Sequence, residues 1–170
     1  MNKKILMAIV VLIIIVGVTA YLNQDSIADK KEMQENALVS IQENGEEMEK
    51  VSLEQIVELG EVTFDKELDT SDSDPVLHTY TGIPLINLIE EAGVDLADKT
   101  QVIVKAADGY TVAMSLEEVR EEDNVYLVYK EDGEYLKGKS EGGSGPLKTV
   151  IRKDQFGQRW CKFLIEVNVK

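Results

Sequence analysis

The sequence holds one cysteine, one histidine, one tryptophan and three prolines in 170 residues. A single thiol forms no internal disulfide, no cysteine-based zinc site and no iron–sulfur cluster, and one imidazole does not build a histidine-based metal centre by itself. Basic side chains are scarce as well: 18 Lys and Arg stand against 32 Asp and Glu, a net charge of -14. A general nucleic-acid binder needs a broad basic face, so this balance argues against that class. What the chain does have is apolar residues, 44% of the total, enough for the core of one domain of this length.

The charge is unevenly placed. Residues 1–136 carry 10 basic and 29 acidic side chains, whereas residues 137–170 carry 8 basic and 3 acidic. The C-terminal end is therefore a basic island on an acidic protein, read either as a solvated face paired with acidic neighbours or as an anion site. At the other end Lys3 and Lys4 precede Ile5–Leu22, a run of 18 residues without a charge. Such a run predicts a membrane anchor or a signal peptide over residues 1–22, with Val18-Thr19-Ala20 offering small residues for cleavage. Both readings place the remaining chain outside the cytoplasm, anchored or secreted.

Residues 23–44 read as a polar tether with a first strand near Ala37–Ile41, closed by Asn44-Gly45, and residues 45–170 as the globular domain. Ser52-Leu53-Glu54-Gln55 has the form of a capping box and predicts a short helix ended by Gly60. Val62–Leu68 alternates as a strand, an acidic loop follows over Asp69–Pro75, and Val76–Tyr80 is extended again. Pro84 then opens a helix carrying Leu85, Leu88, Ile89 and Ala92 at helical spacing. Asp108-Gly109 predicts a hairpin turn, Ser115 caps another helix, Val125–Tyr129 reads as a buried strand and Asp132-Gly133 as a second turn. Gly142–Pro146 reads as a flexible loop, followed by strands at Leu147–Ile151 and Lys162–Val169. Strands outnumber helices, which predicts an α+β fold.

Few residues offer catalytic chemistry. His78 and Cys161 lie 83 positions apart without a thiol-protease signature around either. Strand alternation over Cys161, Phe163 and Ile165 predicts a buried, structural cysteine, and His78 reads as a half-exposed polar residue. Asp69, Asp72 and Asp74 lack the spacing of a calcium loop, with Pro75 where the glycine belongs. Glu121-Glu122-Asp123 and Glu131-Asp132 read as solvated turns. The segment from Gly145 to Lys162 is different: glycines allow backbone amides to approach an anion, Arg grips oxyanions bidentately and Lys adds a point charge.

The order of these motifs resembles the molybdopterin-binding domain of sulfite-oxidase-type oxidoreductases. The likeness rests on Tyr80-Thr81-Gly82-Ile83-Pro84-Leu85 with Ala92-Gly93-Val94, on Asp108-Gly109-Tyr110 with Ser115-Leu116, on Asp132-Gly133-Glu134-Tyr135-Leu136, and on the closing segment from Gly145-Pro146 to Phe163. It covers roughly residues 50–170 and implies a mixed-sheet fold with short helices. It also implies that Gly157, Arg159 and Lys162, which match the closing Gly-x-Arg-x-x-Lys motif, help to hold the pterin. Catalytic members carry a metal-ligating cysteine upstream of the Gly-Val-Pro-Leu helix, and this chain has no cysteine before Cys161. The resemblance therefore implies two functions, ahead of a third reading as a structural or interaction protein of the cell envelope. One is a module that binds molybdopterin, another anionic small molecule or a partner without metal chemistry of its own. The other is a molybdenum-cofactor oxidoreductase that transfers an oxygen atom or electrons, alone or with a partner subunit.

Overall fold

The computed structural model describes residues 3–22, 24–70 and 73–170. Among them, ten strands form two five-stranded sheets. Along the first sheet the order is β2 (Glu46–Ser52), β1 (Leu38–Glu43), β10 (Leu164–Val169), β5 (Gln101–Ala106), β6 (Thr111–Ser115). Strands β1 and β10 are parallel and every other neighbouring pair is antiparallel, so the sheet is mixed. The second sheet is antiparallel: β3 (Val62–Thr70), β4 (Ser73–Pro84) and β7 (Val125–Glu131) lie side by side, and β8 (Glu134–Tyr135) and β9 (Lys148–Ile151) both pair with β7. Helices α1 (Lys3–Leu22), α2 (Gln24–Glu35), α3 (Leu53–Glu58), α4 (Leu85–Glu91) and α5 (Leu116–Arg120) complete the α+β architecture.

One core takes side chains from both sheets: Ile41, Val104, Met114 and Val167 from the first, Tyr80, Ile83, Leu127 and Val150 from the second. In β6 burial alternates residue by residue, the pattern of a strand with one wet face. In β7, Val125–Tyr129 are all buried, because β4 and β9 flank the strand and both of its faces are covered. Ser52 caps α3 as its sequence predicts: its hydroxyl accepts from the Gln55 N–H, and the Gln55 side chain accepts from the Ser52 N–H at 2.9 Å. Such a cap contributes about 1 kcal/mol. At Asp132-Gly133 both residues take positive φ, 54° and 84°, giving the tight turn that carries the chain from β7 into β8.

The structure departs from the sequence reading in five places. The segment read as a tether contains helix α2 ahead of the expected first strand, and that strand, β1, is interior to its sheet, with Val39 and Ile41 fully buried. Strand β2 was not foreseen: Glu46–Lys50 are exposed and mostly acidic, and pairing with β1 supplies the order that propensity does not. The acidic loop is shorter than expected, since Thr70 pairs with Ser73; Asp72 lies outside the described residues. Pro84 ends β4 in an extended conformation and α4 begins one residue later. The Gly142–Pro146 loop is tied down. A 3-10 turn spans Lys139–Glu141, the Gly143 and Gly145 amides donate to the Gly138 and Lys137 carbonyls at 3.1 and 2.9 Å, and Ser144 accepts from the Phe163 amide at 3.0 Å.

Helix α1 displays its large apolar side chains on the surface. Among the described residues no helix is long and apolar enough to cross a membrane.

Candidate functional site

A cleft of about 390 Å³ opens where three segments converge. Glu131 and Tyr135 come from the two sides of the β7–β8 turn, Lys137 and Gly143 from the loop after it, and Trp160 and Lys162 from the closing segment, with Lys148 of β9 also contributing to the lining. The loop packs tightly against itself: a Cβ on Gly143 would lie 2.0 Å from the Lys137 carbonyl oxygen, so only glycine allows this approach. Trp160 is buried and meets the Tyr80 ring edge-on, with centroids 5.7 Å apart. Its indole N–H is buried without a hydrogen-bond partner.

Lys148 anchors the electrostatics. Its side chain is 3% exposed, with the ammonium 2.9 Å from Glu131 Oε2 and 4.5 Å from the centre of the Tyr80 ring. Burial pushes the Lys148 pKa down, against the opposing pull of Glu131. Glu131 Oε1 accepts from the Tyr80 hydroxyl at 3.1 Å and lies 3.7 Å from His78 Nδ1. His78 Nδ1 is itself 2.8 Å from Asp132 Oδ2, and the Thr79 amide donates to the other Asp132 oxygen at 3.0 Å. These contacts hold the Asp132 carboxyl below the usual carboxylate range, the His78 hydrogen bond first. Desolvation, then Glu131, pushes the Tyr80 hydroxyl well up, so it stays neutral and donates. Lys137 and Lys162 are exposed on the same cleft and have no ion-pair partner among the described residues.

The three residues of the closing motif have separate surroundings. Lys162 lines the cleft. Arg159 does not: its guanidinium bridges Glu118 of α5, at 2.6 Å, and Asp154, which it grips with two nitrogens, Nε at 2.8 Å. These carboxylates, Glu118 first, raise its already high pKa further. Gly157 packs beside the β3 hairpin, where a Cβ would come within 2.7 Å of the Leu68 side chain. The 3-10 turn Gly157–Arg159 is held from the far side by the Tyr110 hydroxyl, which donates to the Gln158 carbonyl at 2.6 Å.

Sequence reading missed Glu131 and gave Lys148 no particular weight. Glu131 looked like part of a solvated turn, yet it is 24% exposed and paired. The signal for Lys148 was present: a lysine inside the apolar run Leu147–Ile151 falls on a strand whose four residues are all buried, and a buried ammonium needs a partner.

The metal chemistry of a molybdenum cofactor does not fit these donors. Cys161 is fully buried and is not part of the cleft lining, and burial, with Asp108 adding to it, pushes its thiol up to about 12. Its amide donates to the Thr149 hydroxyl at 3.0 Å, and the residue lies ahead of β10 rather than on its alternating face. Among the described residues no three His, Cys, Asp or Glu side chains are grouped to hold a metal ion. The lysines of the cleft suit an anion.

No curated protein matches the chain. Among solved structures, the fold is similar to that of the sulfane dehydrogenase SoxCD from Paracoccus pantotrophus, with a TM-score of 0.63 and 18% sequence identity. The match covers 78% of this chain and 37% of that one, so this chain spans little more than a third of the protein it resembles. The oxidoreductase molybdopterin binding domain family matches residues 39–170, the region from β1 to the C-terminus that builds both sheets and the cleft, and the chain belongs to that family.

Proposed function

We propose that the chain is a binding module of this family, which takes a pterin-like or other anionic small ligand in the cleft of Lys137, Lys148 and Lys162 and has no metal-ligating cysteine of its own. The observation that carries this reading is the pair of exposed lysines, Lys137 and Lys162, that line the cleft without an ion-pair partner among the described residues, together with the buried Lys148. On a protein of net charge -14 such cations are not lost among a general basic surface. Tyr135 supplies exposed flat apolar surface beside them and the buried Trp160 backs the lining, a setting for a charged ring system. The test is calorimetric titration of the full chain in detergent with pterin-6-carboxylate and with sulfate. Lys137→Ala and Lys162→Ala are each expected to weaken binding on the order of tenfold, the loss of one charge-assisted hydrogen bond. Unchanged affinity in both variants, or no binding by the unaltered chain, overturns the reading.

A second reading is a molybdenum-dependent oxidoreductase whose metal thiolate comes from a partner subunit. Family membership and the likeness to a sulfane dehydrogenase support it. Molybdenum near one atom per chain, in protein purified with its associated subunits from a host that makes the cofactor, would establish this reading over the first. Under both readings residues 1–22 anchor or export the domain, supported by the uncharged run Ile5–Leu22 behind two lysines.

A further inference from the structure

We propose that Glu131 is a built-in counter-ion that an anionic ligand must displace from Lys148, and that His78 compensates the displaced carboxylate by taking up a proton, so that ligand affinity rises as pH falls. The inference rests on the reading of the cleft as an anion site and adds its regulation. Lys148 is the buried cation of the cleft, and Glu131 already occupies it at 2.9 Å. An incoming anion competes for the same ammonium. Glu131 then keeps the Tyr80 hydroxyl at 3.1 Å and faces His78, whose Nδ1 is 3.7 Å away. Asp132 is already on that nitrogen at 2.8 Å. Two carboxylates thus converge on one imidazole, and losing the ammonium of one of them leaves a protonated ring as the group able to offset both.

The other charged groups around this relay do not replace it. Lys66 stands opposite His78 in register on β3, but its ammonium donates to the Asp154 carbonyl at 2.7 Å. Lys137 and Lys162 lie on the cleft lining, where the ligand draws on them, and Glu134 adds a further negative charge there. His78 is the sole histidine of the chain, so replacing it removes the one imidazole and tests the assignment of the proton directly.

The experiment uses sulfate, whose charge does not change in that window, and the fluorescence of Trp160, the sole tryptophan and part of the cleft wall. Titrations of the full chain in detergent at pH 8 and pH 5.5 are expected to show affinity higher at the acid end by about fivefold or more, the ordinary scale of coupling between two sites. His78→Gln, a change on a partly exposed strand position, is expected to abolish the difference. Glu131→Gln is expected to raise the affinity at pH 8 and flatten the profile. Equal sulfate affinity at both pH values, or a pH dependence that survives in His78→Gln, overturns the inference while leaving the anion site standing. Failure of the unaltered chain to bind sulfate at either pH overturns both.

Discussion

Arg159 and Lys162 stand three residues apart in one basic segment, and the fold gives them different neighbours. Arg159 turns toward α5 and is held by Glu118 and Asp154. Lys162 faces the cleft without a carboxylate of its own among the described residues. The comparison shows that a cation counted in a sequence is not yet a cation available to a ligand. On a chain with 32 acidic residues the fold decides which positive charges are already spoken for. The Arg159 side ties the closing turn to a helix, whereas the Lys162 side leaves a charge open beside a buried lysine.

The comparison can be broken most forcefully at the cleft. Glu131→Ala leaves the Lys148 ammonium buried without its partner and is expected to cost about 3–5 kcal/mol, read as a lower midpoint in urea denaturation. Combining Lys148→Met with Glu131→Gln removes the uncompensated charge, and the double variant is expected to be more stable than Glu131→Ala. At the other region, Arg159→Ala is expected to lower stability by about 1–2 kcal/mol, the low side of the charged range because the side chain is 41% exposed, with sulfate affinity within twofold of the unaltered chain. A loss of affinity as large as that of Lys162→Ala would instead place both residues in one site.

The smallest effect concerns acid. The His78 hydrogen bond, then the Thr79 amide, hold Asp132 below the usual carboxylate range. The hydroxyl of Tyr126, then Arg152, do the same for Asp123. Because the folded values are depressed, the stability that these groups add is fully present above about pH 4 and is lost as pH falls through the folded values. Denaturation midpoints measured from pH 6 down to pH 2.5 are expected to fall in that lower range, and to fall less steeply in Asp132→Asn.

Much of the local structure was legible because it follows from short-range rules. The Ser52 capping box, the Asp132-Gly133 turn and the buried run Val125–Tyr129 each carry their instruction within a few residues. Strand β2 was not legible, since Glu46–Lys50 gain their order from β1 across the Asn44-Gly45 turn rather than from their own propensity. The site divided in the same way. The basic closing segment could be read as an anion site, and Lys162 does line the cleft. The role of Glu131 could not be read, because its partner Lys148 lies 17 positions away on a strand that pairs with its own.

The sequence alone determined the class: one domain-sized apolar core, mixed α and β content, a basic end on an acidic chain, and a cysteine count that admits no disulfide or cysteine cluster. These follow from composition and from patterns of two to four residues, whose physics is local. Only the tertiary structure decided which charges meet. It joined Lys148 to Glu131, Arg159 to Glu118 and Asp154, and His78 to Asp132, and it buried Cys161 as a thiol. Electrostatic energy depends on distance and burial, and both are set by how strands far apart in the chain come to lie side by side.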